Sequence, residues 1–224
     1  MNDTFKDRRS AGRLLAKRLQ SYAHLPEVLV FALPRGGVPV GYEVAKALHA
    51  ELDVLIVRKL GVPGQPEFAM GAISSGDALF LNEQTIQLLD INLEDIEEIL
   101  ERERRELDRR ESLYRGTRPV AHIEGRTIII VDDGIATGAS MKAATLALRG
   151  KKPERIIIAV PVAPSNAAEQ FRDVADEFVS LLSPRDFQAV GQFYEDFSAT
   201  EDTDVCALLS AAHEWAPIPS GKVG

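Results

Sequence analysis

Apolar residues along this chain follow two patterns, short continuous runs and longer stretches with a helical period. The short runs are rich in β-branched residues and predict buried strands at 28–33, 53–57, 126–132, 155–160 and 177–181. Apolar positions that recur every three or four residues predict helices at 8–22, 38–48, 140–148 and 165–174. Because strands alternate with helices, we expect an α/β protein whose twisted parallel sheet is flanked by helices.

Two segments interrupt this alternation. Residues 61–71 contain three glycines and two prolines and predict a mobile loop, whereas 70–73 and 78–81 predict a hairpin around the turn at 74–77. Residues 92–114 predict a long charged helix, with Asn92 and Asp95 at its start and Gly116 at its end. We therefore expect a helical insertion near 82–116. Each of its arginines has an acid one turn away, which favours a solvated face over a phosphate site.

Composition narrows the class of protein. With 224 residues and 45% hydrophobic content, we expect one domain over 1–215 and a loose tail over 216–224. The net charge of −8 disfavours a nucleic-acid partner, and the single cysteine, Cys206, excludes an intrachain disulfide and a cysteine-based zinc site. Since the sequence has no apolar signal core and no run of about 18 apolar residues, we expect a cytoplasmic protein without a membrane partner.

An acid pair follows the strand at 126–132. Asp132 and Asp133 precede a turn of small and hydroxyl residues, after which a helix begins near Ser140. Two neighbouring carboxylates can accept hydrogen bonds from two sugar hydroxyls. The N–H groups of the turn and the helix, with the hydroxyls of Thr137 and Ser140, can hold a phosphate. Together these groups suit a ribose 5-phosphate.

The segment 128–140 resembles the phosphoribosyl-diphosphate (PRPP) binding motif of type I phosphoribosyltransferases. Gly134 departs from that motif, which more often has an aliphatic residue or serine there. The resemblance implies the fold of that family, with a small hood built from the chain ends. It also implies that Asp132 and Asp133 bind the ribose hydroxyls. The remaining substrate-binding positions of the motif are then Gly134, Ala136, Thr137, Gly138, Ala139 and Ser140.

The resemblance extends to two cationic segments. Arg35, Gly36 and Gly37 stand where the family has its pyrophosphate loop, and the bond from Pro34 to Arg35 is predicted to be cis or strongly strained. Arg58 and Lys59 stand where a flexible loop closes over PRPP. The residues to which we assign catalytic roles are Asp133, Arg35, Lys59 and Arg58.

The segment 189–197 loosely resembles the purine-site segment of hypoxanthine-type relatives. This resemblance implies that Phe193 and Tyr194 bind the base, and that Asp196 lies near Mg²⁺, which PRPP itself would mainly hold. Buried core positions are an equally good interpretation of these aromatic residues.

The predicted reaction is attack by a nitrogen nucleophile, a nucleobase in our interpretation, on C1 of PRPP with loss of pyrophosphate. The predicted partners are PRPP, a small-molecule acceptor and a second copy of the chain, with a dimer favoured. One alternative is a regulatory protein that binds PRPP or a nucleotide without turnover. Another is a phosphosugar-binding enzyme of a different α/β family.

Overall fold

A computed structural model describes residues 4–214. The strands are β1 (Val28–Ala32), β2 (Glu51–Val54), β3 (Val57–Val62), β4 (Gln65–Ser74), β5 (Ala78–Leu81), β6 (Thr127–Val131), β7 (Arg155–Val162) and β8 (Glu177–Leu182). The α-helices are α1 (Arg8–Arg18), α2 (Gly37–Leu48), α3 (Glu83–Leu88), α4 (Leu93–Arg115), α5 (Ala139–Arg149), α6 (Ala167–Gln170) and α7 (Asp202–His213). Short 3₁₀ turns occur at Gln20–Tyr22 and Val190–Phe193. None of the helices between residues 4 and 214 combines the length and apolar character needed to cross a membrane.

Five of the described strands form a parallel sheet in the order β2-β1-β6-β7-β8. Its two faces are both covered. Val30 and Ile129 pack in the core on the side of α1 and α2, whereas Phe31 and Ile130 pack against α5 and α6. Continuous apolar runs are what a sheet covered on both faces requires, and the α/β prediction is confirmed. The strand order reverses between β1 and β6, so their carboxyl ends flank the position where such sheets bind ligands.

Two predicted elements differ in extent. The strand predicted at 53–57 ends at Val54, because the chain leaves the parallel sheet there and Val57 begins an antiparallel strand. The helix predicted at 165–174 is one turn of α-helix, Ala167–Gln170, followed by hydrogen-bonded turns such as the one from Val174 N–H to the carbonyl of Phe171.

The loop predicted at 61–71 is wrong. Strands β3 and β4 pair as an antiparallel hairpin with its turn at Pro63 and Gly64, and β4 pairs onward with β5 as predicted. Leu60 and Met70 are buried on one face of this second sheet, which stabilises the strands. Gly71 permits close pairing, because a Cβ there would lie 2.4 Å from a neighbouring strand's carbonyl oxygen.

The predicted helical insertion is present as α3 and α4. Asn92 caps α4 by accepting a hydrogen bond from the N–H of Asp95 at 2.8 Å, and Gly116 ends the helix at a positive φ of 61°. Ile99 and Leu107 are buried in the core, and α4 packs against β3 and β4. The insertion therefore stands beside the hairpin.

Segments near the two ends of the described residues meet beside the carboxyl ends of β6 and β7 as the predicted hood. Phe5 pairs with Tyr194 in an isolated parallel bridge, and the N–H of Phe5 donates to the carbonyl of Phe193 at 2.8 Å. Helix α7 then packs on α2 and β2 through Val205 and Leu209. The single domain over 1–215 stays a prediction, and the predicted tail at 216–224 lies outside the described residues.

Candidate active site

A cleft of about 670 Å³ opens at the carboxyl ends of β1, β2 and β6. Pro34 from the glycine loop, Asp132 from the acid pair and Ser140 from the phosphate turn all line it. The hairpin β3–β4 and one side of α4 complete its wall. Segments that are far apart in the sequence are thus brought to one site.

The acid pair follows β6 at the edge of this cleft, and Asp132 lines it. The Asp133 N–H donates to Asp132 Oδ1 at 2.8 Å, and the carboxylate of Asp133 accepts from Arg8 Nε at 2.8 Å. Burial raises the pKa of Asp132 well above its usual value, and the neighbouring charge of Asp133 adds to the rise. Burial also raises the pKa of Asp133, although the hydrogen bond from Arg8 opposes it.

The glycine loop contacts the acid pair directly. A Cβ on Gly36 would lie 2.1 Å from Asp133 Oδ2, and one on Gly37 would lie 2.8 Å from the carbonyl oxygen of Val131. Only glycine permits such an approach at these two positions. The Pro34–Arg35 peptide bond is cis, which confirms that prediction.

The phosphate turn joins β6 to α5. Gly138 is the N-cap of α5 with φ of 75°, and a Cβ there would meet the ring of Phe171 at 2.9 Å. Thr137 is exposed, and its Oγ1 accepts from the Ala139 N–H at 3.4 Å. Because the first N–H groups of a helix have no partner within it, the turn directs donors and a positive dipole end to one place.

The remaining predicted positions of the turn differ in exposure. Ala136, Ala139 and Ser140 are exposed there. Gly134 is buried, and its departure from the family motif has a packing reason: a Cβ would lie 2.6 Å from the side chain of Val190.

The predicted cations differ in their surroundings. Arg58 lines the cleft but donates to Glu103 Oε2 through Nε at 2.8 Å and Nη2 at 2.6 Å. Lys59 also lines the cleft and is exposed. Arg35 lies at the surface, with Nη1 3.8 Å from Glu201 and 3.9 Å from Asp202.

Helix α4 is predicted from the sequence to present a solvated charged face. In the structure, part of this face contributes residues to the cleft. Arg102 and Arg110 both line the cleft, although their side chains remain 61% and 41% exposed. Each also has an acid one turn away along the helix, Glu98 for Arg102 and Glu106 for Arg110. The sequence contains no signal for this placement, because the position of α4 relative to the sheet is a tertiary property.

The aromatic pair predicted to bind the base belongs to the core of the hood. Phe193 is 8% exposed and stacks on Phe187 at 5.6 Å between ring centroids. Tyr194 is 7% exposed, and its hydroxyl donates to the backbone carbonyl of Asp133 at 2.6 Å. The structure therefore places both rings in the core of the hood, where Tyr194 also contacts the backbone of the acid pair.

Asp196, predicted to lie near Mg²⁺, is not among the residues that line the cleft. It accepts hydrogen bonds from the N–H and the hydroxyl of Ser198, which lower its pKa. Within residues 4–214, no group of three or more His, Cys, Asp or Glu side chains is arranged to hold a metal ion.

Arg8 is the site residue that the sequence interpretation missed. Its guanidinium contacts Asp133 across a separation of 125 residues, and its side chain is 12% exposed. In the sequence it is one of several basic residues of α1, so nothing distinguishes it from a solvated charge.

Comparison with known proteins identifies relatives for this arrangement. A family model described as "Phosphoribosyl transferase domain" matches residues 2–198. Two strains of Mycobacterium tuberculosis each contain a relative named "Putative phosphoribosyl transferase", 44% identical over 209 residues. The match covers 93% of this chain and 47% of the relative, so the chain spans about half the length of these curated proteins. The crystal structure of TT1426 from Thermus thermophilus is 45% identical, with a TM-score of 0.85 over 96% of this chain and all of that one.

Proposed function

The chain belongs to the phosphoribosyl transferase family, and we propose that it transfers ribose 5-phosphate from PRPP to a nitrogen nucleophile with release of pyrophosphate. A nucleobase is the proposed acceptor, and nucleotide metabolism in the cytoplasm is the proposed setting. A homodimer is the proposed assembly.

The observation that supports this reaction best is the contact between three segments at one cleft. The glycine loop approaches the acid pair so closely that a Cβ on Gly36 would collide with Asp133. Asp132 and Ser140 line the same cleft, so one ligand could contact the acid pair through Asp132 and the phosphate turn through Ser140. A ribose with a phosphate at one end and a pyrophosphate at the other has the matching order of groups.

In the proposed chemistry the protein orients the reactants and stabilises the departing pyrophosphate, and it forms no covalent bond with the substrate. The bond between C1 and the pyrophosphate oxygen breaks, the bond from the acceptor nitrogen to C1 forms, and the nitrogen loses its proton. Lys59 and the backbone of the glycine loop would stabilise the departing pyrophosphate. Asp132 and Asp133 would hold the ribose hydroxyls, and the hairpin and α4, which line the cleft, would limit the access of water.

We propose that Mg²⁺ enters this site bound to the phosphates of the substrate. The described residues contain no ready-made cluster for a metal, but Mg²⁺ is commonly bound through one or two carboxylates together with substrate phosphates. Asp132, which lines the cleft, is the carboxylate that would contribute. The ion would supply charge neutralisation at the pyrophosphate. We expect weak Mg²⁺ binding without PRPP and strong binding with it, measured by calorimetry.

A regulatory protein of the same fold is the second candidate, and one contact favours it. Arg58 is paired with Glu103, so a cation assigned to PRPP already has a protein partner. A ligand-binding protein that does not turn over would retain this pair when PRPP is bound.

Pyrophosphate release from PRPP, measured with a panel of nucleobases, tests the proposal. We expect release with at least one base, loss of that release in Asp133→Asn, and retention in Asp173→Asn, which changes an exposed acid elsewhere. PRPP binding without release for any base would support the regulatory candidate. Binding of ribose 5-phosphate with no preference for PRPP would support a phosphosugar enzyme of another class.

A further inference from the structure

The start of α1 holds Arg8 in a fixed place. Asp7 is the N-cap and accepts a hydrogen bond from the Ser10 N–H at 2.6 Å, while Ser10 Oγ accepts from the Asp7 N–H at 3.0 Å. Just upstream, Phe5 is hydrogen-bonded to the hood segment on both its N–H and its carbonyl. The backbone is therefore anchored on each side of Arg8, which fixes the origin of its side chain.

The guanidinium of Arg8 makes three contacts that join the acid pair to the hood. Its Nε donates to Asp133 Oδ2 at 2.8 Å, and its Nη1 donates to the carbonyl of Ser198 at 2.6 Å. Its Cζ lies 3.9 Å from the ring centroid of Phe197, within the range of a cation–π contact. A planar group with several donors can satisfy these partners together, and a lysine ammonium cannot.

These contacts fix the carboxylate that would meet the sugar. Arg8 binds one oxygen of Asp133, which sets the plane in which the other oxygen can accept a hydrogen bond. The charge of Arg8 also opposes the effect of burial on the pKa of both acids. The glycine loop packs on the side of the carboxylate that Arg8 contacts, since a Cβ on Gly36 would lie 2.1 Å from Asp133 Oδ2 and 3.3 Å from Arg8 Nε.

We propose that Arg8 is a positioning residue of the ribose site, which orients Asp133 toward a sugar hydroxyl and couples that carboxylate to the hood through Ser198 and Phe197. This inference rests on the proposed function, because it assigns the ribose of the substrate to Asp133. Arg8 acts through Asp133 and the hood.

Coupling through Arg8 has a consequence beyond affinity. When ribose 5-phosphate binds the acid pair, the restrained carboxylate also restrains Arg8, and with it the carbonyl of Ser198. Amide protons of residues 195–200 should then exchange more slowly in the presence of ribose 5-phosphate. In Arg8→Gln this protection should be lost, whereas a purely structural role for Arg8 would slow or speed exchange regardless of ligand.

Arg9→Gln is the matched control. Arg9 is the next residue on the same helix and pairs with the buried Glu43 at 2.6 Å, away from the acid pair. Calorimetric titration with ribose 5-phosphate, PRPP and pyrophosphate should give a tenfold or greater loss of affinity for the two sugar ligands in Arg8→Gln. Pyrophosphate affinity should be unchanged in that variant, and all three affinities should be unchanged in Arg9→Gln.

Arg8→Lys keeps the positive charge and serves as a second variant in case Arg8→Gln does not fold. We expect it to lose at least threefold in sugar affinity, and to lose almost nothing when Asp133→Asn is already present, because its effect passes through that carboxylate. Wild-type affinity in Arg8→Lys and Arg8→Gln, or equal losses in Arg9→Gln, would overturn the inference.

Binding and turnover separate the two proposals. Dependence of sugar binding on Arg8 without turnover of any base would support the inference and count against the transferase. If the wild-type protein bound neither PRPP nor ribose 5-phosphate, both proposals would be overturned.

Discussion

Replacing Gly36 with alanine tests the close approach of the glycine loop to the acid pair. Gly36 has φ of −60° and ψ of −32°, which an alanine adopts without backbone strain. The added methyl group, however, would lie 2.1 Å from Asp133 Oδ2 and 2.7 Å from its Cγ. The variant therefore changes the position of one carboxylate and leaves the backbone conformation allowed.

The size of the effect follows from these distances. Real Cβ contacts do not fall below 3.0 Å, so the carboxylate oxygen must retreat by about 0.9 Å or the loop must move by as much. A displacement of about 1 Å in a positioned group can cost about a hundredfold in rate. We expect kcat/KM for PRPP to fall by about that factor in Gly36→Ala.

Gly150→Ala is the matched control. Gly150 has φ of −61° and ψ of −20°, but a Cβ there would meet its nearest neighbour at 3.4 Å, an ordinary contact. Alanine at such a position stabilises a protein by about 0.4–1 kcal/mol through the unfolded state. The control should therefore have wild-type kinetics and a slightly raised Tm.

Steady-state pyrophosphate release and calorimetric titration with PRPP measure the effect, and a thermal melt shows that each variant is folded. Normal kinetics and normal PRPP affinity in a folded Gly36→Ala would refute the assignment of Asp133 to the substrate. An equal loss in Gly150→Ala would show that the effect does not come from the contact.

Three further predictions concern the phosphate turn, the cleft cation and the buried acids. Gly138→Val should weaken the binding of ribose 5-phosphate and of a nucleoside monophosphate by similar factors, about tenfold or more, because φ of 75° and an aromatic ring at 2.9 Å both oppose a side chain. Wild-type affinities in calorimetric titration would show that the phosphate binds elsewhere. Glu103→Gln should free Arg58 and strengthen pyrophosphate binding severalfold in calorimetry, whereas Arg58→Gln should weaken it; unchanged affinity in both variants would remove Arg58 from the site. Because burial raises the pKa values of Asp132 and Asp133, the folded chain binds more protons than the unfolded chain from about pH 4 up to those values. The free energy of unfolding contributed by this pair should therefore fall as pH rises through that window. Denaturant titrations of the wild type and of the variant with both acids changed to Asn, at several pH values, would show the difference. A contribution that rises with pH would contradict the burial of the pair.

The sequence by itself determined the elements whose causes are local. The run 128–131 is apolar on both faces and therefore forms a central parallel strand, and Asn92 and Gly116 bound α4 because their backbone and side-chain geometry satisfies the helix ends. The acid pair and the phosphate turn are contiguous with strand β6 and helix α5. Their position at the carboxyl end of β6 and the start of α5 could thus be predicted from thirteen neighbouring residues.

In two segments, packing overrode what the sequence indicates locally. Glycines and prolines at 61–71 indicate a loop, but burial of Leu60 and Met70 outweighs the local preference and gives a hairpin. Phe193 and Tyr194 have the composition of a base-binding surface and the burial of a core. An aromatic residue has the same sequence signature in either environment.

Only the tertiary structure decides which charges lie close to the candidate site. Arg8 and Asp133 are 125 residues apart, and Arg58 and Glu103 are 45 apart, so neither pair produces a pattern along the chain. In the sequence, the charged residues of α1 and α4 that make these contacts cannot be distinguished from solvated charges on the same helices. Contacts across such separations depend on how the sheet and the helices pack, which the residues around Arg8 or Glu103 do not encode.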